Sequence, residues 1–359
     1  METSISTSSK WKPDDKGRQI LLKLKEASHP NEALFARDFT IYSPSAWSKI
    51  LAAVDPDRAR SYFDDLKSDD ARNGLLGDLE DLVVKLPRLK AEREKTYQTK
   101  IFPLLAFQAV VKSVKQCKVK ANADEPNPER IIKVVASTGG GKTTLRKYLV
   151  QELRGEMFVA AVQCRDAWRP NSHEDRRRAK FAVLEDVFEA MGLRITKSRD
   201  GIKPMEDALI QSCKGQARVL FIDEGEFFSK YSLDLVKLLM NESKLIVIIA
   251  CTPRAHAKWN QYYPDEADQI SRRTHAVVST EQVKSDDVGL FFPENQFEQP
   301  MQEQEFIAKE AAKFGHFSLV NRVTELLAKS TRASHREVEE SVVKAQKQMA
   351  KHATVKLTK

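Results

Sequence analysis

The sequence predicts an α/β fold: a parallel sheet with helices on both faces, an all-α region ahead of it and a helical lid behind. Three observations predict it. The apolar runs Ile131–Ala136, Phe158–Val162, Val219–Ile222 and Leu245–Ala250 lack polar alternation and recur with helical stretches between them, as strands covered on both faces do. A glycine-rich turn joins the first run to the helix that follows it. Before Leu89 and after Glu281 the apolar residues recur at helical spacing.

Five segments follow. Residues 1–16 are rich in Ser, Thr, Lys and Asp and read as a flexible arm. Residues 17–95 read as a helical domain, with Ile20, Leu21 and Leu24 on one stripe and Leu75, Leu79, Leu82 and Leu86 on another; Pro87 is expected to end the latter helix. The sheet domain spans 96–282. It is entered by an amphipathic helix over Ile101–Lys115 and a loop over Lys118–Arg130, and His275–Ser279 is a candidate fifth strand. A lid over 283–330 and a helical tail over 331–359 complete the chain; the tail carries seven Lys and Arg against three Glu.

Composition excludes several classes. Hydrophobic residues make up 41% of the 359, enough for a core and against wholesale disorder. The longest apolar run, Leu245–Cys251, falls far short of the roughly 20 residues of a membrane helix, and residues 1–30 lack the apolar stretch of a secretory leader. The four cysteines lie far apart with no C-x-x-C pair, and the seven histidines lack ligand spacing. Neither a disulfide framework nor a zinc site is expected. A net charge of +8 permits a polyanionic partner.

The turn reads Ala136-Ser137-Thr138-Gly139-Gly140-Gly141-Lys142-Thr143, the spacing of a P-loop. Phosphate needs backbone N–H donors at close range, which glycines allow, and a helix N-terminus favours the anion. Thr138, Gly139, Gly140, Gly141, Lys142, Thr143 and Thr144 form the candidate nucleotide set. Lys142 would reach the β- and γ-phosphates, and Thr143 would ligate Mg²⁺. The first glycine of the pattern is here Ala136, which fits if its φ stays negative. The run Val219–Ile222 ends in Asp223-Glu224. Asp223 can hold the water shell of Mg²⁺, and Glu224 can orient or deprotonate an attacking water. ATP and Mg²⁺ are therefore the expected ligands, with hydrolysis the expected reaction. Thr252, after the run 245–250, has two readings: a contact to the γ-phosphate or attacking water, or a helix cap. Arg272 and Arg273 also have two: a solvated helix end, or an arginine finger completing a neighbour's site.

Two places are candidates for DNA contacts, and each has a second reading: a helical protein-docking domain for the first, a solvated charged loop for the second. Residues 31–39 and 43–51 read as a helix-turn-helix, with Ser43 as cap of the second helix and Trp47 facing the core. Thr40 stands where glycine is usual. Ser45, Ser48 and Lys49 would face the groove. The segment 165–178 holds Arg165, Arg169, Arg176, Arg177 and Arg178, suited to salt-sensitive phosphate contacts.

The order of P-loop, Asp-Glu, Thr, Arg-Arg and helical lid resembles the AAA+ ATPases over roughly 96–329. Within them, the helix 101–115, the stretch Ser279–Val288 and the stretch Gly315–Arg322 are similar to transposition regulators, the MuB proteins of Mu-like phages and the TnsC/TniB proteins. That resemblance implies an ATP-bound homo-oligomer, ring or helical filament, that wraps double-stranded DNA, marks it as a target and activates a transposase. It implies a location in the bacterial cytoplasm, on the nucleoid, and no membrane partner. Ser318 stands where many AAA+ members carry a sensor arginine. Two alternatives share the same core: a helicase loader of the DnaC/IstB type, and an ATP-gated helix-turn-helix transcription regulator.

Overall fold

The computed structural model describes the chain except residues 1–11, 30–31, 41, 43, 55–60, 67, 99–100, 124–128, 138, 166–174, 194–200, 281–282, 294–295, 314–315, 329, 331 and 358–359. The expected arm thus lies outside the described residues as far as residue 11. Beyond it the Asp14 carboxylate caps α1 (Asp15–Ser28), accepting from the Gly17 N–H at 2.7 Å.

The helix-turn-helix pair is α2 (Glu32–Phe39) and α3 (Pro44–Leu51). Thr40 does by hydrogen bonding what glycine does by conformational freedom. Its buried hydroxyl donates to the Ala36 carbonyl at 2.8 Å and accepts from the Tyr42 N–H at 3.1 Å. Trp47 stacks on Phe35, centroids 5.5 Å apart. Together with Ile20, Leu21, Leu24, Ile50, Phe63, Leu75, Leu79 and Leu86 they form a self-contained core. Ser43, the expected cap, and Ile41 lie outside the described residues.

Next comes α4 (Asp69–Gln98), which runs through Pro87, contrary to the expected break at that residue. Proline removes one donor and crowds the preceding turn, but the stripe of Leu75, Leu79 and Leu86 keeps packing on the small core, and burial offsets that local cost. Then α5 (Leu105–Asn122) starts four residues later than expected, because Pro103 biases Phe102 towards extended backbone.

In the sheet domain one or two helices separate each strand from the next: β1 (Ile131–Val135), α6 (Lys142–Glu152), β2 (Val159–Gln163), α7 (Asp175–Ala190), α8 (Ile202–Cys213), β3 (Arg218–Asp223), α9 (Lys230–Glu242), β4 (Leu245–Cys251), α10 (Pro253–Tyr262), α11 (Pro264–Arg272) and β5 (Thr274–Ser279). All pairings are parallel, in the order β2-β3-β4-β1-β5. One face of the sheet packs on α5 and α6, and this core runs on into the helices that follow the sheet, α12 (Ser285–Gly289), α13 (Pro300–Lys313), α14 (Phe317–Leu327) and α15 (His335–Leu357). The other face packs on α7 to α11. Tyr42 touches both this second core and the small N-terminal one. Among the described residues no helix is long and apolar enough to cross a membrane.

The candidate nucleotide site

Three strand ends meet at the site. Interior strand β1 runs into the loop 136–141, β3 ends at Asp223 and central β4 ends at Cys251, so ligand-binding loops gather at the carboxyl edge, as open α/β sheets require. The loop is tied to the sheet, for the Ala136 N–H donates to the Cys251 carbonyl at 3.0 Å. Ala136 is buried with a negative φ, so alanine satisfies that position. Gly139 and Gly141 take φ of 85° and 82°, a region costly to any residue with a Cβ. At Gly140 the obstacle is space: a Cβ there would lie 2.9 Å from that of Ala136. Thr138 lies outside the described residues. Thr143 and Thr144 are exposed in the first turn of α6, and the Lys142 ammonium folds back to the Ala136 carbonyl at 2.9 Å. A cradle that side chains would fill, at the head of an eleven-residue helix, fits a phosphate chain.

The acidic pair differs within itself. Burial pushes the Asp223 carboxyl above its ordinary range, while its bond from the Glu224 N–H at 2.9 Å and the charges of Lys142 and Arg146 pull it down. A partly desolvated carboxylate within the field of Lys142 and Arg146, at the head of the helix that carries exposed Thr143, fits a hydrated divalent cation. Glu224 has φ 57° and ψ 45°, left-handed backbone in a non-glycine residue. Such strain concentrates at functional sites. It is held from below: a Cβ on Gly225 would lie 2.9 Å from Ile249 and 3.3 Å from Trp259, whose indole N–H donates to the Gly225 carbonyl at 3.2 Å. Beside Glu224 a cavity of about 690 Å³ opens between Gln163, Arg165, Asp186, Glu189 and Phe227.

Thr252 takes the cap position of α10, but its side chain makes no capping hydrogen bond. Arg272 and Arg273 lie far from Lys142. The Ile131 N–H, at the start of β1, donates to the Arg273 carbonyl at 3.0 Å, whereas Lys142 follows the end of that strand. A five-residue strand spans roughly 17 Å. Arg273 is engaged by the Asn241 side chain and the Gln269 carbonyl. Arg272 is exposed and paired with Asp268 at 2.7 Å.

Of the expected DNA contacts, Ser45, Ser48, Lys49 and Arg178 are exposed. Arg165 is taken up by a two-pronged pair with Asp186 at 2.8 and 2.5 Å, a partner 21 residues away that the local sequence did not signal. Arg169 lies outside the described residues; Arg176 and Arg177 fall in the first turn of α7.

Sequence reasoning missed the residues that shape the cradle from afar. Phe107 of α5 and Phe317 of α14 approach Gly141. Asp287 of α12 accepts from the Leu105 N–H at 2.9 Å, tying lid to entry helix. Thr280 reaches the loop at Gly140. Each lies in one of the stretches 101–115, 279–288 and 315–322, whose likeness to other ATPases carried no sign of a contact with the loop.

Residues 126–258 match a family model described as an AAA domain. No curated protein matches the sequence. Solved structures similar to it include the Aeropyrum pernix ORC2 protein in its ADPNP–ADP complexes, at 12% identity and a TM-score of 0.47 over 70% of this chain and 71% of that one. Cdc6p from Pyrobaculum aerophilum follows at 10% and 0.45, over 65% and 64%. The Aeropyrum pernix ORC1 protein in complex with DNA stands at 13% and 0.41, over 68% and 66%. These are ORC and Cdc6 proteins, not transposition regulators. They overturn the expectation of a MuB- or TnsC-like activator from a Mu-like phage with a transposase as partner. The physical reason is plain: P-loop, acidic pair and paired arginines serve ATP in any such core and do not discriminate among its users. What the site and the matching domain establish together is an AAA domain over residues 126–258 of this chain, and with it an enzyme that hydrolyses ATP with Mg²⁺.

Proposed function

We propose that the protein is an ATP-gated loader of the DnaC/IstB kind, which assembles with its own copies on DNA and delivers a helicase to it. The observation that carries this reading is the separation of Arg272 from Lys142 at opposite ends of β1. A finger there serves only the nucleotide of a second copy, so assembly and hydrolysis become one event. Arg273, held by Asn241 and Gln269, shapes the helix end, and Arg272 is the finger.

Within one site the chain's groups divide the work. Backbone N–H groups of the glycine loop bind phosphate. Lys142 gives up the Ala136 carbonyl for the β- and γ-phosphates. Thr143 and Asp223 would hold Mg²⁺, which when bound offsets the charge of the triphosphate. Glu224 accepts a proton from the attacking water as its oxygen bonds to the γ-phosphorus and ADP leaves. Thr252 orients that water. DNA phosphates are met by Ser45, Ser48 and Lys49 on α3 and by Arg176, Arg177 and Arg178 at the start of α7.

The test is mass measurement of the full chain with ATP, Mg²⁺ and DNA, together with co-purification against a replicative helicase. The expected result is ATP-dependent multimers on DNA that retain the helicase. A chain that stays monomeric on DNA across salt concentrations, or never retains the helicase, refutes the reading. Arg272→Ala should leave ATP binding intact and lower hydrolysis by about 10³-fold or more.

A further inference from the structure

We infer that Thr280, beyond the end of β5 and outside every nucleotide motif, is a positioning residue of the phosphate loop, fixing the peptide between Gly140 and Gly141. The inference rests on the reading of 136–143 as the phosphate site. Thr280 is fully buried, and its hydroxyl donates to the Gly140 carbonyl at 2.6 Å. Its own N–H donates to the Val135 carbonyl at 3.0 Å, continuing the β1–β5 pairing in which Val135 faces Ser279. The donor is thus anchored to the strand that launches the loop, on a β-branched side chain with restricted χ1.

The consequence follows from peptide geometry. A trans peptide is planar, with its carbonyl and the following N–H pointing in opposite directions. Pinning the Gly140 carbonyl towards Thr280 turns the Gly141 N–H the other way. The Gly140 N–H is already spent on the Ser137 carbonyl at 3.0 Å, so the orientation of this one peptide sets where the loop's next donor points. Glycines at 139 to 141 leave that peptide free to rotate, and Thr280 removes the freedom before phosphate arrives. Binding then proceeds without the cost of ordering the donor.

The experiment measures ATP affinity at equilibrium, KM and kcat for the full chain and for Thr280→Val, Thr280→Ala and Thr280→Ser. Val and Ala should weaken ATP binding and raise KM by about three- to tenfold, the scale of one buried hydrogen bond, with kcat within about twofold of wild type. Ser, which keeps the hydroxyl, should restore KM. Should Val fail to fold, Ala carries the same comparison without added bulk. Unchanged affinity in Val and Ala, a fall in kcat at constant KM, or a Ser variant as weak as Ala overturns the inference. A wild-type chain that binds no ATP, or a Lys142→Ala variant that binds it normally, overturns the phosphate-site reading instead.

Discussion

Lys142 donates from its ammonium to the Ala136 carbonyl at 2.9 Å and reaches that of Ser137 at 3.4 Å, bridging its own phosphate loop. The contact holds the loop curled around the space a phosphate would take. It also sets a small toll on binding, since a protein bond must break before a charge-assisted one forms.

Lys142→Ala removes both loop bonds and, with them, the charge-assisted contact that Lys142 would make to phosphate. Hydrogen bonds to charged groups contribute about 1.5–3 kcal/mol, so ATP affinity should fall roughly 10- to 100-fold. Calorimetric titration of the full chain checks this, and an unaltered Kd would take Lys142 out of the site.

At Glu224 chemistry and backbone pull in opposite directions. Left-handed backbone costs a side-chain-bearing residue about 1–2 kcal/mol. Glu224→Gly relieves that strain but loses about 0.5–1 kcal/mol through greater freedom of the unfolded chain. Its unfolding free energy should stay within about 1 kcal/mol of wild type or rise, while hydrolysis falls about 10²–10⁴-fold. Urea melts and turnover assays read the two quantities separately; a large loss of stability would show that the strain is not borne at this residue.

Gly225 and Gly74 make a contrasting pair. A methyl on Gly225 meets Ile249, Cys251 and Trp259 within 3.3 Å, while one on Gly74, inside α4, meets nothing within 4 Å. Gly225→Ala should cost about 1–3 kcal/mol by overpacking, whereas Gly74→Ala should stabilise by about 0.5–1 kcal/mol as a helix substitution. Equal effects on unfolding would contradict the packing described beneath the acidic pair.

A pH-dependent tie joins α15 to α13. His335, at the head of α15, lies 2.9 Å from the buried Glu303 of α13 and 3.3 Å from Glu339. The hydrogen bond to Glu303 raises the His335 pKa above the ordinary 6.5, against a smaller lowering by burial. A raised histidine pKa favours the charged form in the folded chain. Its stabilisation is full below about pH 6.5 and is lost as pH rises through the folded value. Thermal unfolding of wild type and His335→Gln should therefore differ more at pH 6 than at pH 8.5. A gap independent of pH would mean that His335 contributes only packing.

Much of this was legible in the amino-acid order, for reasons that are local. Strands β1 to β4 declare themselves because both faces are buried, and the glycines and Asp223-Glu224 because phosphate and metal leave little choice of residue. What escaped depends on partners distant along the chain. Thr280 meets Gly140 across 140 positions, Asp287 meets Leu105 across 182, and Arg165 is neutralised by Asp186. Pro87 misled because proline's penalty is a local rule, whereas the stripe on α4 is paid back by tertiary burial. The user of the ATPase was the least legible feature, since its motifs answer to ATP alone.

As the finger proposed above, Arg272 at the far edge of the sheet would give the enzyme an unusual dependence on company. A lone molecule would then be chemically half-finished, so its specific activity in dilute solution should climb with protein concentration before levelling off. Any template that crowds copies side by side then acts as an accelerator without touching the reacting atoms.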